Sequence, residues 1–154
     1  MQTPSTDPVA RYYDSNTMRF LMVGGGGATH SIHRQLWGTD VDTARGAADY
    51  INRLIAEQIA EIGAGPEVSV LDMGCGIGNA TVRFAAEWPE ADVHGIDIGA
   101  AMLRYGNARA EALEVPLFLS QQNAEHTNFP DRSFDLIVSF LLFHETSRRA
   151  LQNI

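Results

Sequence analysis

The chain has 154 residues, 45% hydrophobic and 19% charged, which suits one soluble globular domain with a core of its own. Its net charge of −8 offers no basic footprint to a polyanion, so a small-molecule partner is expected and nucleic acid is not. A single cysteine, Cys75, excludes an intrachain disulfide framework, and no apolar run approaches the roughly 20 residues of a membrane span. With no secretory h-region at the N-terminus, the expectation is a cytoplasmic protein.

Residues 1–41 read as an N-terminal extension and 42–154 as the main domain. In the extension, VARYYDSNTMRFLM predicts a short helix with Tyr12, Tyr13 and Phe20 available for burial, ended by the run Gly24 to Gly27. His30 and His33 are spaced H-x-x-H, but no cysteine or clustered acid completes a ligand set, so no metal is predicted. From Asp42 onward, Ala47, Ile51, Leu54, Ile55, Ile59 and Ile62 fall near helical spacing, with Asp42 placed to cap the helix and Gly63 to stop it.

Beyond Gly65-Pro66, VSVLD predicts a buried strand that runs into glycines at Gly74, Gly76 and Gly78, and NATVRFAAEW predicts the following helix. ADVHGID and VPLFLSQQ predict a second and a third strand with the helix GAAMLRYGNARAEALE between them, and FDLIVSFLLF predicts a fourth. Strands alternating with helices define an α/β fold with a largely parallel sheet. In such a sheet the ligand crevice lies beyond the carboxyl ends of the strands, where the glycine turn sits and where the first helix presents amides to an anion. Asp97 ends the second strand 19 residues after Gly78. There it can accept both hydroxyls of a ribose, or cap the helix that starts near Gly99.

The turn reads Asp72-Met-Gly-Cys-Gly-Ile-Gly78, which differs from the dinucleotide fingerprint G-x-G-x-x-G. A carboxylate two residues before the first glycine suits an ammonium group better than a pyrophosphate. VLDMGCGIG followed by GIDI resembles the first two motifs of the class I S-adenosylmethionine-dependent methyltransferases. The resemblance covers about residues 42–154 and implies a Rossmann-like three-layer sandwich with a helical lid before it. It also implies S-adenosylmethionine as cofactor, S-adenosylhomocysteine as product and a small-molecule methyl acceptor. By the same resemblance Gly74, Gly76 and the neighbouring backbone at Cys75 and Gly78 hold the methionine part, Asp72 assists its amino group, and Asp97 binds the ribose. Ile98 and Met102 flank the adenine, while Asn123, Ala124 and Glu125 meet the adenine amino group and ring. Asn123 stands where many members have Asp, and it also reads as a turn residue. Ser139, with Phe140, follows the fourth strand beside the reacting centre.

His144 and Glu145 come next and are the candidate catalytic residues, as base, substrate binder or orienting pair, the alternative being a loop residue and the start of a helix. A sulfonium methyl is already activated, so a base is optional and alignment is the main requirement. Tyr12, Tyr13, His33, Arg34 and Trp37 are candidates for lid or substrate contacts, or for aromatic packing of the extension. Cys75 reads as a small packing residue. The family fold has further strands after the fourth, and they are missing from this chain, so a fragment or completion of the sheet edge by a homo-oligomer is expected. The rival readings are a nicotinamide-dependent oxidoreductase and a non-catalytic nucleoside-binding module.

Overall fold

The computed structural model describes residues 7–23, 35–63 and 65–154. Helix α1, Pro8–Met22, starts where Asp7 accepts from the amides of Val9 and Ala10 and where proline occupies the first turn. Helix α2, Ala44–Glu61, is capped by Thr43, whose hydroxyl accepts from the Gly46 amide. Thr43 thus takes the role expected of Asp42, because its side chain sits three residues before the amide it serves. The helix stops at Ile62, followed by Gly63 at φ +64°. Gly24 to Gly27, His30, His33 and Arg34 lie outside the described residues.

Four strands form one parallel sheet in the order β3-β2-β1-β4: β1 is Ser69–Met73, β2 Asp92–Asp97, β3 Leu119–Gln121 and β4 Leu136–Val138. Helix α3, Asn79–Glu87, connects β1 to β2, and α4, Ala100–Ala112, connects β2 to β3. A 3₁₀ turn, Phe143–Glu145, and a short helix α5, Arg148–Asn153, follow β4. Both outer strands are shorter than the apolar runs predict. The fourth run leaves the ladder after Val138 and passes through Leu141 at φ +66°, and Leu142 packs against Leu71, Met73 and Ile96.

The sheet separates two apolar layers, as the period-two alternation of strand side chains requires. Val70 and Val93 pack with Ile55, Ile59, Phe84 and Ala85 on the side of α2 and α3, and Phe84 stacks on Trp88 at 5.5 Å. Leu71, Met73 and Ile96 pack on the opposite side against Phe129, Phe134, Leu142 and Ile154. There the rings of His94, Phe129 and Phe134 meet edge to face at 4.9 to 5.5 Å. The result is the α/β sandwich expected from the alternation of elements, here with four parallel strands. Among the described residues no helix is long and apolar enough to cross a membrane.

Candidate active site

The ends of β1 and β2 carry the site. Gly74, at φ +81°, leaves β1 in a conformation that side chains rarely adopt, and a Cβ there would lie 3.1 Å from Leu142. The amides of Gly74 and Cys75 both donate to the Ile96 carbonyl, at 2.9 and 3.0 Å, which ties the turn to β2. Gly76 donates to one Asp97 oxygen at 2.9 Å, and Gly99 donates to the other at 2.8 Å. Asp97 therefore does the capping work at the start of α4 and also braces the glycine turn. Burial pushes its pKa up against these two amides, which hold it down. Two bonds leave a carboxylate with acceptor positions still open.

Around Asp97 lies a cavity of about 370 Å³. Gly74, Gly76 and Asp97 line it together with Ile98 and Met102, with Asn123, Ala124 and Glu125, and with Phe140, Leu142 and Glu145. Helix α1 closes one side through Val9 and Tyr13. It is held there by Asp14, which accepts from the Ala101 amide at 2.7 Å and so caps α4 from outside. The absence of a side chain at Gly99 lets the Tyr13 Cβ come within 3.3 Å of the position a Cβ would take. The phenol of Tyr13 is pushed above its ordinary pKa by burial, with Glu145 and Asp97 adding to the shift.

Nine of the fourteen cofactor and catalytic candidates named from the sequence meet in this cavity: Gly74, Gly76, Asp97, Ile98, Met102, Asn123, Ala124, Glu125 and Glu145. Asn123 takes its turn role as well, since its carboxamide oxygen accepts from the Glu125 amide at 2.9 Å. Asp72, Cys75 and Ser139 line a second cavity of about 350 Å³ beneath α2, which shares Gly74 and Phe140 with the first. Asp72 points there because period two aims it, like Val70, at the α3 side of the sheet. It is buried and accepts from the Thr81 hydroxyl at 2.6 Å, and desolvation raises its pKa to about 6. The Cys75 thiol is buried and pushed well above its ordinary range by burial, with Asp72 and Asp97 adding to the shift, so it is a packing group and no nucleophile.

Gly78 lines neither cavity. It caps α3 in the left-handed region, and a Cβ there would sit 2.6 Å from Leu119, so it serves core packing. His144 is also outside the cavity. Its Nε2 lies 2.8 Å from Glu145 Oε1, which makes it a neighbour of the cavity residue in the 3₁₀ turn, and the next helix starts only at Arg148, capped by Ser147. Tyr12 and Trp37 are exposed and face neither cavity. Tyr13, a lid or substrate candidate from the sequence, lines the cavity, as does Phe140; Leu142, between Phe140 and Glu145, is a cavity residue that the sequence reading did not name.

The methyltransferase-domain family model matches residues 70–154, more than half the chain, and the chain belongs to that family, class I S-adenosylmethionine-dependent methyltransferases. A trans-aconitate 2-methyltransferase of Methylobacterium radiotolerans is 37% identical over 89 residues, 58% of this chain and 32% of that protein. A Bos taurus U6 snRNA (guanine-N(2))-methyltransferase, THUMPD2, is 36% identical over 87 residues, 55% of this chain and 17% of that protein. Among solved structures, the [4+2]-cyclase SpnF superposes with a TM-score of 0.73 at 26% identity, covering 89% of this chain and 50% of that one. Coclaurine N-methyltransferase, solved with N-methylheliamine and S-adenosylhomocysteine, superposes at 0.67 with 20% identity, covering 82% of this chain and 36% of that one. The chain thus spans about a third or less of the curated relatives' length.

Proposed function

We propose that this domain binds S-adenosylmethionine in the Asp97 cavity and takes part in methyl transfer to a small-molecule acceptor, with S-adenosylhomocysteine as product. The observation that carries the reading is the joint placement of Gly74, Gly76 and Asp97 at the strand ends, in one cavity with Ile98 and Met102. The residues suit the group chemically. The Asp97 carboxylate keeps acceptor capacity for ribose hydroxyls, and Ile98, Met102 and Ala124 offer apolar surface to a purine. Asp72, Cys75 and Ser139 border the adjoining cavity past Gly74, where an amino-acid end would find the Asp72 carboxylate.

The bound cofactor supplies a methyl group on positively charged sulfur, so what remains for the protein is alignment and proton removal. Glu145 faces the cavity and is the candidate to take the acceptor's proton; His144, outside it, positions that carboxylate. Residues 1–41 serve as the lid, with α1 latched by Asp14, and residues 42–154 as the cofactor domain. A cytoplasmic location belongs to the same reading, as does a homo-oligomer that covers the β4 edge. The net charge of −8 favours a small acceptor over RNA.

The test is calorimetric titration of S-adenosylmethionine and S-adenosylhomocysteine into the chain and into Asp97→Ala. Micromolar binding that weakens at least about tenfold in the variant, a loss of about 1.4 kcal/mol, is expected. Equal affinity in both proteins would remove Asp97 from the site. Methylation of an RNA acceptor in preference to small molecules would replace the acceptor class.

A further inference from the structure

The chain carries 11 basic residues, and every one is arginine. Among the described residues none of them, and no histidine, lines either cavity. Two are committed elsewhere: Arg83 bonds Asp49 and Glu87, and Arg53 lies over the Tyr50 ring at 5.1 Å. The first cavity is instead bordered by four carboxylates, Asp7, Asp97, Glu125 and Glu145, with neutral polar side chains at Gln122, Asn123, Thr146 and Ser147 and apolar ones between them. Three of them have structural duties that fix their place: Asp7 caps α1, Asp97 braces the glycine turn, and Glu125 accepts from Asn153 at 2.7 Å. Among the described residues Glu145 caps no helix, and its carboxylate pairs with His144 at 2.8 Å. It lines the same cavity as Tyr13 of α1, whose phenol pKa its charge helps to raise after burial.

Resting on the methyl-transfer reading above, we propose that the acceptor is an apolar amine, held as its cation by Glu145, and not a carboxylate. With the cofactor engaging Asp97 and the wall that carries Glu125, an anionic acceptor would meet Asp7 and Glu145 and, among the described residues, no arginine fork, whereas an ammonium gains from both. An apolar body suits Val9, Phe140, Leu142 and Ala150, which line the same space. For reaction the ammonium passes one proton to Glu145, and its freed electron pair forms the nitrogen–carbon bond. The carbon–sulfur bond breaks with its pair left on sulfur. Charge balances, since the sulfonium is neutralised and the product nitrogen carries the positive charge and a remaining proton to be shed to solvent.

The experiment uses the chain saturated with S-adenosylhomocysteine, with benzylamine and benzoate as probes of equal shape and opposite charge, and trans-aconitate as a polyanion. Benzylamine is expected to bind about five- to tenfold more tightly than benzoate, and Glu145→Gln to bring the two within about twofold while S-adenosylhomocysteine affinity stays within about threefold. Glu145 is half exposed, so the variant retains the fold. Equal or tighter binding of benzoate or trans-aconitate overturns the inference and leaves the methyl-transfer reading standing. A preference for benzylamine that Glu145→Gln leaves unchanged overturns the role of Glu145 and with it the inference. Failure of S-adenosylhomocysteine to bind at all overturns both.

Discussion

Asp72 shows how one residue's setting changes what its motif suggests. It sits mid-sheet on β1 with its carboxylate buried, and its bonds run to Thr81 at the start of α3. Desolvation dominates over the Thr81 bonds that lower it, and its pKa rises to about 6 from an ordinary 3.8. The folded state therefore holds this proton more tightly than the unfolded chain does. The destabilisation is absent below the unfolded value, grows between it and about pH 6, and is complete above. Asp72→Asn removes the ionisation while keeping an oxygen for Thr81. It should raise Tm at pH 8, by an amount equivalent to at most about 3 kcal/mol, and leave Tm nearly unchanged near pH 4. Thermal melts of both proteins across that range check it, and binding of a cofactor with an amino group should weaken in the variant.

At the scale of elements, Leu119 is the joint between β3, β2, α3 and α4. Its two methyls occupy space left by three glycines: a Cβ at Gly78 or Gly106 would lie 2.6 or 2.5 Å from Cδ1, and one at Gly95 would lie 2.6 Å from Cδ2. Gly78 was read from the sequence as a cofactor glycine, but its local partner is this leucine. Gly95 within β2 and Gly106 within α4 carried a visible signal, since isolated glycines inside regular elements mark close approach. What they approach is 12 or more residues away in the chain and is legible only after folding. Leu119→Ala should cost about 3 kcal/mol, because the rigid backbone around three glycines cannot collapse into the space. Urea unfolding measures it as a fall in midpoint at constant slope.

For the whole molecule, the strand order β3-β2-β1-β4 leaves β4 paired on one side, to β1, among the described residues. Ile137 is 56% exposed on that strand, so an apolar side chain accompanies an open ladder edge. Ile137→Lys should reduce concentration-dependent association in sedimentation velocity. The same sheet order brings β1 and β2 side by side. This is why Gly76 and Asp97, 21 residues apart, share a hydrogen bond.

The sequence by itself determined the alternation of strands and helices, the glycine turn after β1 and the acid at the end of β2, because period, turn chemistry and spacing are local properties of the chain. Asn123, Ala124 and Glu125 were legible for the same reason, as a turn directly after a strand. Only the tertiary structure decided which carboxylate faces which cavity. Asp72 and Asp97 both end up near the glycines, but strand alternation aims Asp72 below the sheet toward Thr81, while Asp97 stands at the end of its strand between two glycine amides. It also decided that Tyr13 closes the site and that Glu145, with His144 outside, looks into it. Those placements follow from packing between distant segments, which no local pattern encodes.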